Sequence, residues 1–343
     1  MTMRYKLLGR SGLRVSELCL GTMTFGTEWG WGATRAESRK IFNAYADAGG
    51  NFIDTANRYT EGTSEKIVGE LVAADREHFV LATKYTLHMR RDDPNFCGNH
   101  RKNMVQSLEA SLKRLGTDYL DLFWVHAWDF MTPVEEVMRG LDDLVRAGKV
   151  LYVGISDTPA WIVSQANTLA ALRGWTPFVA LQIQYSLLER TVERDLLPMA
   201  KAFDLAVTPW GILGGGVLTG KYNQGKGKGG RVEVMNGVTR QRLAMAARVL
   251  KIAARAGCTP TQAALNWVRQ QPGLIIPIIG ARTVKQVKDN LEALDHGLTR
   301  GQLAILDKAS RIEPGFPHEF LTRETIRDVI FGGSQDMVDN HRG

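Results

Sequence analysis

Apolar and polar positions along this chain alternate between two periods. Residues 5–8 and 13–16 alternate singly around Gly9, Arg10, Ser11 and Gly12, which predicts a β-hairpin. From residue 18 onward, short apolar runs are interleaved with segments whose apolar residues recur every three or four positions, the period of a helix. The runs at 18–25, 51–55, 78–84, 119–126, 150–155, 179–184, 205–210 and 274–279 predict eight strands. Helices are expected at 34–48, 64–74, 99–115, 133–147, 159–174, 193–203, 240–256, 261–271 and 284–294. Their ends carry the matching signals: Thr34 with Glu37 three residues on forms a capping-box pair, Gly49–Gly50 and Gly116 stop helices, and Pro133 and Pro159 open them.

Eight strands alternating with helices, in 343 residues, predict a (β/α)8 barrel of the TIM type. The rival is a doubly wound sheet with a second domain, which would place G-x-G-x-x-G after its first strand. Here that strand ends GTMTFG, residues 21–26, and does not fit. No Pro/Gly/Ser linker divides the chain, so a single domain over 1–343 is expected, with the barrel at about 17–295 and a C-terminal extension at about 299–343. The extension opens with a helix at 302–309. Phe316, Phe320, Ile326, Val329, Ile330 and Phe331 make the rest too apolar for a solvated end, and packing against the barrel or a neighbouring molecule is expected.

Composition changes this picture little. Hydrophobic residues make up 44% and charged residues 23%, the range of a globular protein. The net charge of +7 suits an anionic ligand. Its lysines and arginines are dispersed rather than blocked among aromatics, which argues for a small molecule and against nucleic acid. Cys19, Cys97 and Cys258 are odd in number and far apart, so no disulfide framework or CxxC metal motif is expected, and a reducing cytoplasm is the simplest location. No apolar signal core or membrane-spanning run is present.

The candidate chemistry lies at strand ends, which share one mouth in a (β/α)8 barrel. NFIDTANRY, residues 51–59, supplies Asp54 and Tyr59; the next two strands end at Lys84 and His126. A phenol is a proton donor whose pKa an adjacent ammonium lowers, a carboxylate keeps that ammonium charged, and a neutral imidazole can donate to a carbonyl oxygen. Together these suit carbonyl reduction. Taken singly, Asp54 and Lys84 are equally a buried ion pair, His126 a core histidine and Tyr59 a surface residue. A Schiff-base aldolase using Lys84 is an alternative. No nucleophilic Ser or Cys joins the group, and one His with one Asp makes no metal site.

A proton donor for reduction needs a hydride source. Residues 211–221, GILGGGVLTGK, let backbone amides approach a pyrophosphate, or form an ordinary connector. Gly215, Gly220 and Lys221 approach a Walker A loop, but Tyr222 stands where a Ser or Thr would hold magnesium. After the last strand, Gly280, Ala281 and Arg282 lead into a helix whose N-terminus suits phosphate, and Arg282 is placed to fork the 2′-phosphate of NADPH or merely to cap the helix. Trp29, Trp31, Tyr85 and Trp128 are candidate walls for a flat aromatic or apolar substrate, or ordinary packing.

NFIDTANRY, the TK of LATKY, the VH of FWVHAWD, QYSLLER, GGGVLTGKY and IPIIGARTVKQVKDN resemble segments of the aldo-keto reductases, over roughly 4–294. SDTPAW, TPF and ERDLLPMA further resemble the aryl-alcohol dehydrogenase-like branch. The resemblance implies Tyr59 as general acid, Lys84 and Asp54 as its tuning pair, and His126 as the group orienting the carbonyl. It implies NADPH/NADP+ as cofactor, with Ser156, Asp157 and Gln182 at the carboxamide, Trp210 on the nicotinamide, and Gln286 and Asn290 at the adenine. Gly21, Thr22, Met23, Asp54, Gly211, Ile212, Leu213, Gly215, Lys221, Arg231 and Gly280 complete the implied cofactor contacts, the loop at 223–230 closing over the pyrophosphate. Tyr59 and His126 would also touch a small-molecule carbonyl or alcohol substrate. Two departures stand out: Asp157 and Gly211–Ile212 replace an Asn and a Ser-Pro pair common among relatives. A carboxylate accepts from the carboxamide amine but cannot donate to its oxygen. A nicotinamide-binding regulatory subunit with slow turnover, like channel-associated members of the superfamily, is the alternative function.

Overall fold

The computed structural model describes residues 3–225 and 237–340. An N-terminal hairpin, β1 (Tyr5–Leu7) and β2 (Arg14–Ser16), precedes eight parallel strands: β3 (Cys19–Gly21), β4 (Phe52–Asp54), β5 (Val80–Tyr85), β6 (Leu120–Val125), β7 (Val150–Ser156), β8 (Phe178–Gln184), β9 (Ala206–Trp210) and β10 (Ile278–Gly280). They are hydrogen-bonded in chain order, with β10 returning to pair with β3. Around them lie α1 (Arg35–Asp47), α2 (Thr63–Val72), α3 (Arg101–Leu115), α4 (Val134–Arg146), α5 (Ala160–Arg173), α6 (Leu196–Ala202), α7 (Arg240–Ala256), α8 (Pro260–Arg269) and α9 (Val284–Leu291). The fold is a (β/α)8 barrel with an N-terminal hairpin and additional C-terminal helices.

The last strand is divided between two neighbours. Leu274 and Ile276 exchange backbone hydrogen bonds with Val207 of β9 (2.8 Å each), whereas Ile278–Gly280 pairs with β3. Pro277 sits at the changeover; having no N–H, it only accepts, from Cys19 at 2.9 Å. The barrel thereby closes, and the regular strand is shorter than the apolar run 274–279.

Helix ends follow the sequence signals, with one exception. Thr259 and Thr283 accept from the third backbone N–H of α8 and α9, and Gly116, Gly174 and Gly257 take left-handed conformations at helix ends. Thr34 caps α1, but the Glu37 carboxylate turns away from the expected reciprocal bond and accepts from the Val284 backbone at 2.8 Å, tying α1 to α9. Each helix buries a stripe, as Val134, Val137, Met138, Leu141 and Leu144 do on α4.

Alternation along the strands separates two cores. Outward residues such as Leu20, Ile53, Leu81, Phe123 and Ile155 pack under the helices. Inward residues including Cys19, Phe52, Ala82, Leu122 and Trp124 fill the barrel itself. Trp124 lies against Gly154, where a Cβ would come within 2.4 Å of its ring, so that pairing requires glycine. The hairpin closes the bottom: Gly9, at φ +57°, sits so near that a Cβ would lie 2.0 Å from the Val179 carbonyl oxygen. With its base sealed and its middle packed, the barrel is left open to ligands at the C-terminal ends of its strands.

The extension begins with α10 (Arg300–Ser310), followed by α11 (His318–Leu321) and α12 (Glu324–Phe331). Of the two places expected for its later apolar side chains, the barrel or a neighbouring molecule, the barrel does not cover them: Phe316 and Val329 are at least 80% exposed, and Ile330 and Phe331 are also exposed. Leu306 of α10 is fully buried in the outer core, and beyond that helix Arg194 donates to the Glu313 carbonyl at 2.8 Å and His318 lies 3.3 Å from Asp195.

Candidate active site

The polar strand ends converge because successive strands are staggered. Asp54 on β4 is level with Ala82 on β5, so Lys84 emerges one inward position higher and reaches back across. Its Nζ donates to Oδ2 of Asp54 at 2.5 Å, the Thr55 carbonyl at 2.8 Å and the Tyr59 hydroxyl at 2.9 Å, using all three protons. Lys84 is inaccessible and Asp54 nearly so. Burial alone would lower the Lys84 pKa; Asp54 and Tyr59 together reverse this and hold it above its ordinary value. The other Asp54 oxygen accepts from Nε2 of Gln182 on β8 at 3.1 Å, so the carboxylate is gripped from both sides of the barrel.

Tyr59 opens a short 3₁₀ turn after β4. The expectation that Lys84 lowers the phenol's pKa is corrected: burial raises it, Lys84 opposes, Asp54 and Asp157 raise it further, and the net direction is upward. Burial is the largest influence, and the carboxylate touching Lys84 works against the ammonium's field. His126, just beyond β6, meets the Tyr59 ring edge-on at 5.9 Å between centroids. Burial and Lys84 push its pKa well below 6.5, so the imidazole is neutral at pH 7. Its Nδ1 is buried without a hydrogen-bond partner among the described residues.

On the far side of the mouth, Ser156 ends β7 with a buried Oγ that has no hydrogen-bond partner among the described residues. Asp157, at φ +41°, is exposed on the rim and accepts from Nε1 of Trp210 at 3.2 Å. Desolvation raises its pKa, against the Trp210 hydrogen bond and Lys84. After β9, Gly211, Gly214, Gly215, Gly216 and Gly220 all take positive φ, conformations that give amides close access and that other residues rarely adopt. Ile212 is buried and Leu213 packs on the core. Lys221 lies over the Tyr222 ring at 4.9 Å. A Cβ at Gly280 would meet nothing within 4 Å, leaving space beside the exposed Arg282. The unpartnered Ser156 hydroxyl, this glycine turn and the open space at Gly280 follow the C-terminal ends of β7, β9 and β10, and amides and open space of this kind suit a phosphate-bearing cofactor.

The other expected contact residues have protein surroundings of their own, and one expectation is overturned. Tyr85 is not a pocket wall: one residue beyond inward-pointing Lys84, it faces outward, fully buried, stacked on Phe123 and donating to the Asn99 carbonyl. Thr22 spends its hydroxyl on the Asp54 carbonyl and Ser64. Met23 is half-buried beside it, and Gly21 packs against Ile278. Gln286 accepts from the Arg282 backbone, and Asn290 is buried with its amide on the Gly280 carbonyl, bracing the turn. Trp29 and Trp31 pack together at 5.5 Å, with Trp29 donating to Glu61 in the turn that carries Tyr59. Trp128 is buried. Arg231 and most of the 223–230 loop lie outside the described residues. Among the described residues no group of His, Cys, Asp and Glu could hold a metal ion, and no helix is long and apolar enough to cross a membrane.

Residues 17–311 match the model of the aldo/keto reductase family. The chain belongs to that family. Aldo-keto reductases use nicotinamide cofactors. The norsolorinic acid reductase of Aspergillus flavus is 39% identical over 92% of this chain and 83% of its own length. The aryl-alcohol dehydrogenase [NADP(+)] of Phanerodontia chrysosporium is 38% identical over 96% and 89%, and an aryl-alcohol dehydrogenase of Pestalotiopsis microspora is 38% identical over 93% and 85%. The resemblance to aldo-keto reductases of the aryl-alcohol dehydrogenase-like kind is thereby shown, and with it an oxidoreductase of carbonyl and alcohol groups.

Sequence reasoning missed three features of this site. Gln182, expected at the carboxamide, also donates to Asp54, a link from β8 to β4 that no motif announces. The Thr55 carbonyl as a third Lys84 partner is a backbone property no residue type announces. The hydrogen-bonded group of buried Thr86 and Asn99 with half-buried Asp129, next to His126, carried no signal beyond short polar residues in loops.

Proposed function

We propose that this chain is an NADPH-dependent carbonyl reductase, reversible on alcohols, with Tyr59 as its general acid. The observation that carries it is Lys84 clamped between Asp54 and the Tyr59 hydroxyl, with a neutral His126 edge-on to the Tyr59 ring. When bound, the nicotinamide supplies the hydride. A substrate carbonyl oxygen lodged between the Tyr59 hydroxyl and the His126 ring receives a proton from Tyr59 as negative charge develops. Lys84 stabilises the phenolate left behind, and Asp54 and Gln182 keep Lys84 charged and fixed. His126, kept neutral, donates a hydrogen bond and orients the carbonyl.

Ser156 and Asp157 would hold the carboxamide, Trp210 the nicotinamide face, and residues 211–221 the pyrophosphate. Arg282, exposed beside the open space at Gly280, would hold a 2′-phosphate, which favours NADPH over NADH. A relative named for NADP(+) supports this choice. Trp29 and Trp31 suit a flat aromatic aldehyde, ketone or alcohol. The three cysteines, all free, suit a reducing cytoplasm, and barrel and extension together form one domain in this reading. Oxidation of NADPH by the pure protein across a panel of aromatic aldehydes, ketones and dicarbonyls tests the proposal. Turnover supports it; tight NADPH binding with no turnover would favour a regulatory nicotinamide-binding subunit instead.

A further inference from the structure

No protein group among the described residues holds the buried Nδ1 of His126, so its ring orientation depends on how its backbone is fixed. The backbone N–H of His126 donates to Oγ1 of Thr86 at 3.3 Å. Thr86 follows Lys84 by two residues and takes φ +94°, a conformation that a β-branched residue adopts only when its surroundings impose it. Asn99 imposes it. The Asn99 side chain is wholly buried, and its Nδ2 donates both to Oγ1 of Thr86 at 3.0 Å and to the carbonyl of Ala127, the residue after His126, at 2.9 Å.

Asn99 is itself locked. Its N–H donates to Oδ2 of Asp129 at 2.7 Å, its Oδ1 accepts from the Asp129 N–H at 2.7 Å, and its carbonyl accepts from Tyr85. Asp129 in turn gathers the N–H groups of Met131 and Thr132 and the Thr132 hydroxyl. Gly98 donates to the Thr86 carbonyl at 2.8 Å, and a side chain there would press on Asp129. One asparagine therefore fastens the ends of β5 and β6 at points flanking Lys84 and His126.

We propose that Thr86 and Asn99 are positioning residues that fix the His126 imidazole toward the Tyr59 hydroxyl. The proposal rests on the reductase reading above, in which His126 orients the carbonyl. Neither residue touches the substrate: Thr86 acts on the His126 backbone, and Asn99 acts through Thr86 and Ala127. A misplacement of about 1 Å at such a group costs about a hundredfold in rate.

The test uses the intact protein with NADPH and an aromatic aldehyde. Thr86→Val removes the acceptor while keeping shape and branching; Thr86→Ser keeps the hydroxyl. Asn99→Ala is secondary, because it strips several buried hydrogen bonds at once. Expected results are a kcat about ten- to a hundredfold lower in Thr86→Val with NADPH binding within about twofold of wild type, and near-wild-type kcat in Thr86→Ser. In a His126→Ala background, Thr86→Val should cost nothing further, because the residue it positions is gone. Undiminished kcat in Thr86→Val, an equal loss with or without His126, or failure of Thr86→Ser to restore activity would overturn the proposal. His126→Ala alone separates the two levels. If it leaves reduction unchanged, the reading of the site falls and this inference with it; if it is impaired while Thr86→Val is not, this inference alone falls.

Discussion

Nζ of Lys84 lies 2.9 Å from the Tyr59 hydroxyl, yet the phenol is held above its ordinary value of 10.0 rather than below it. Burial favours the neutral phenol, and Asp54 at 2.5 Å works against the ammonium's pull. Tyr59 is thus kept protonated, as the proposed proton donor must be, with Lys84 at its hydroxyl to meet the charge that would remain. The pH profile follows. Reduction should keep a level kcat through neutral and mildly alkaline pH and decline only above 10.0. Alcohol oxidation, which needs Tyr59 as a base, should rise with pH over the same range. A reduction rate falling between pH 7 and 9 would mean a phenol tuned downward.

The Lys84–Asp54 pair is fully desolvated, so removing one partner leaves a charge without compensation. Lys84→Met should lower stability by about 3–5 kcal/mol and reduction by at least about a hundredfold. Lys84→Met with Asp54→Leu should recover most of the stability and none of the activity. Denaturant unfolding and kcat on the three proteins check both halves. Recovered activity in the double variant would show that the pair serves folding alone.

His126 gives a second pH dependence, of opposite limb. Its folded pKa is depressed from 6.5, so the folded state binds fewer protons than the unfolded one as pH falls. Its contribution to stability is fully present above pH 6.5 and is lost as pH falls below it. Melting temperature should therefore drop between pH 7 and 5 more steeply in the wild type than in His126→Asn. Parallel curves would indicate that the imidazole stays solvated.

How much of this was readable from sequence depends on which physical property carried it. The alternation of strand and helix periods marked the barrel, and the inward positions at strand ends marked Asp54, Lys84 and His126, because side-chain direction follows directly from strand periodicity. The same rule, applied one residue further, would have turned Tyr85 away from the mouth, since Lys84 and Tyr85 must face opposite sides. The barrel stagger that lets Gln182 cross to Asp54 depends on closure of the whole sheet, and the positive φ of Thr86 accompanies its bonds to Asn99 and Gly98; neither leaves a mark in local residue type. The apolar residues at 316–331 read as a packed segment, but apolarity names no partner, and within one chain they are exposed.

The proposed cofactor site assigns Arg282 and Asp157 different tasks, Arg282 the choice of cofactor and Asp157 the grip on either one. Arg282→Ala should raise KM for NADPH about tenfold or more while leaving KM for NADH nearly unchanged, because the guanidinium would meet only the 2′-phosphate. Asp157→Asn should tighten binding of either cofactor severalfold, since an amide can donate to the carboxamide oxygen where a carboxylate cannot. Fluorescence titration and steady-state kinetics with both cofactors read these effects. Equal weakening of NADPH and NADH in Arg282→Ala would remove the arginine from the phosphate.

The most direct measurement compares the wild type with Tyr59→Phe under single-turnover conditions, after NADPH affinity has been determined for each. The Lys84–Tyr59 geometry predicts unchanged NADPH binding and a hydride-transfer rate lower by at least about a hundredfold in the variant. A Tyr59→Phe protein that binds NADPH normally and reduces the aldehyde at the wild-type rate would contradict the assignment of the proton to Tyr59.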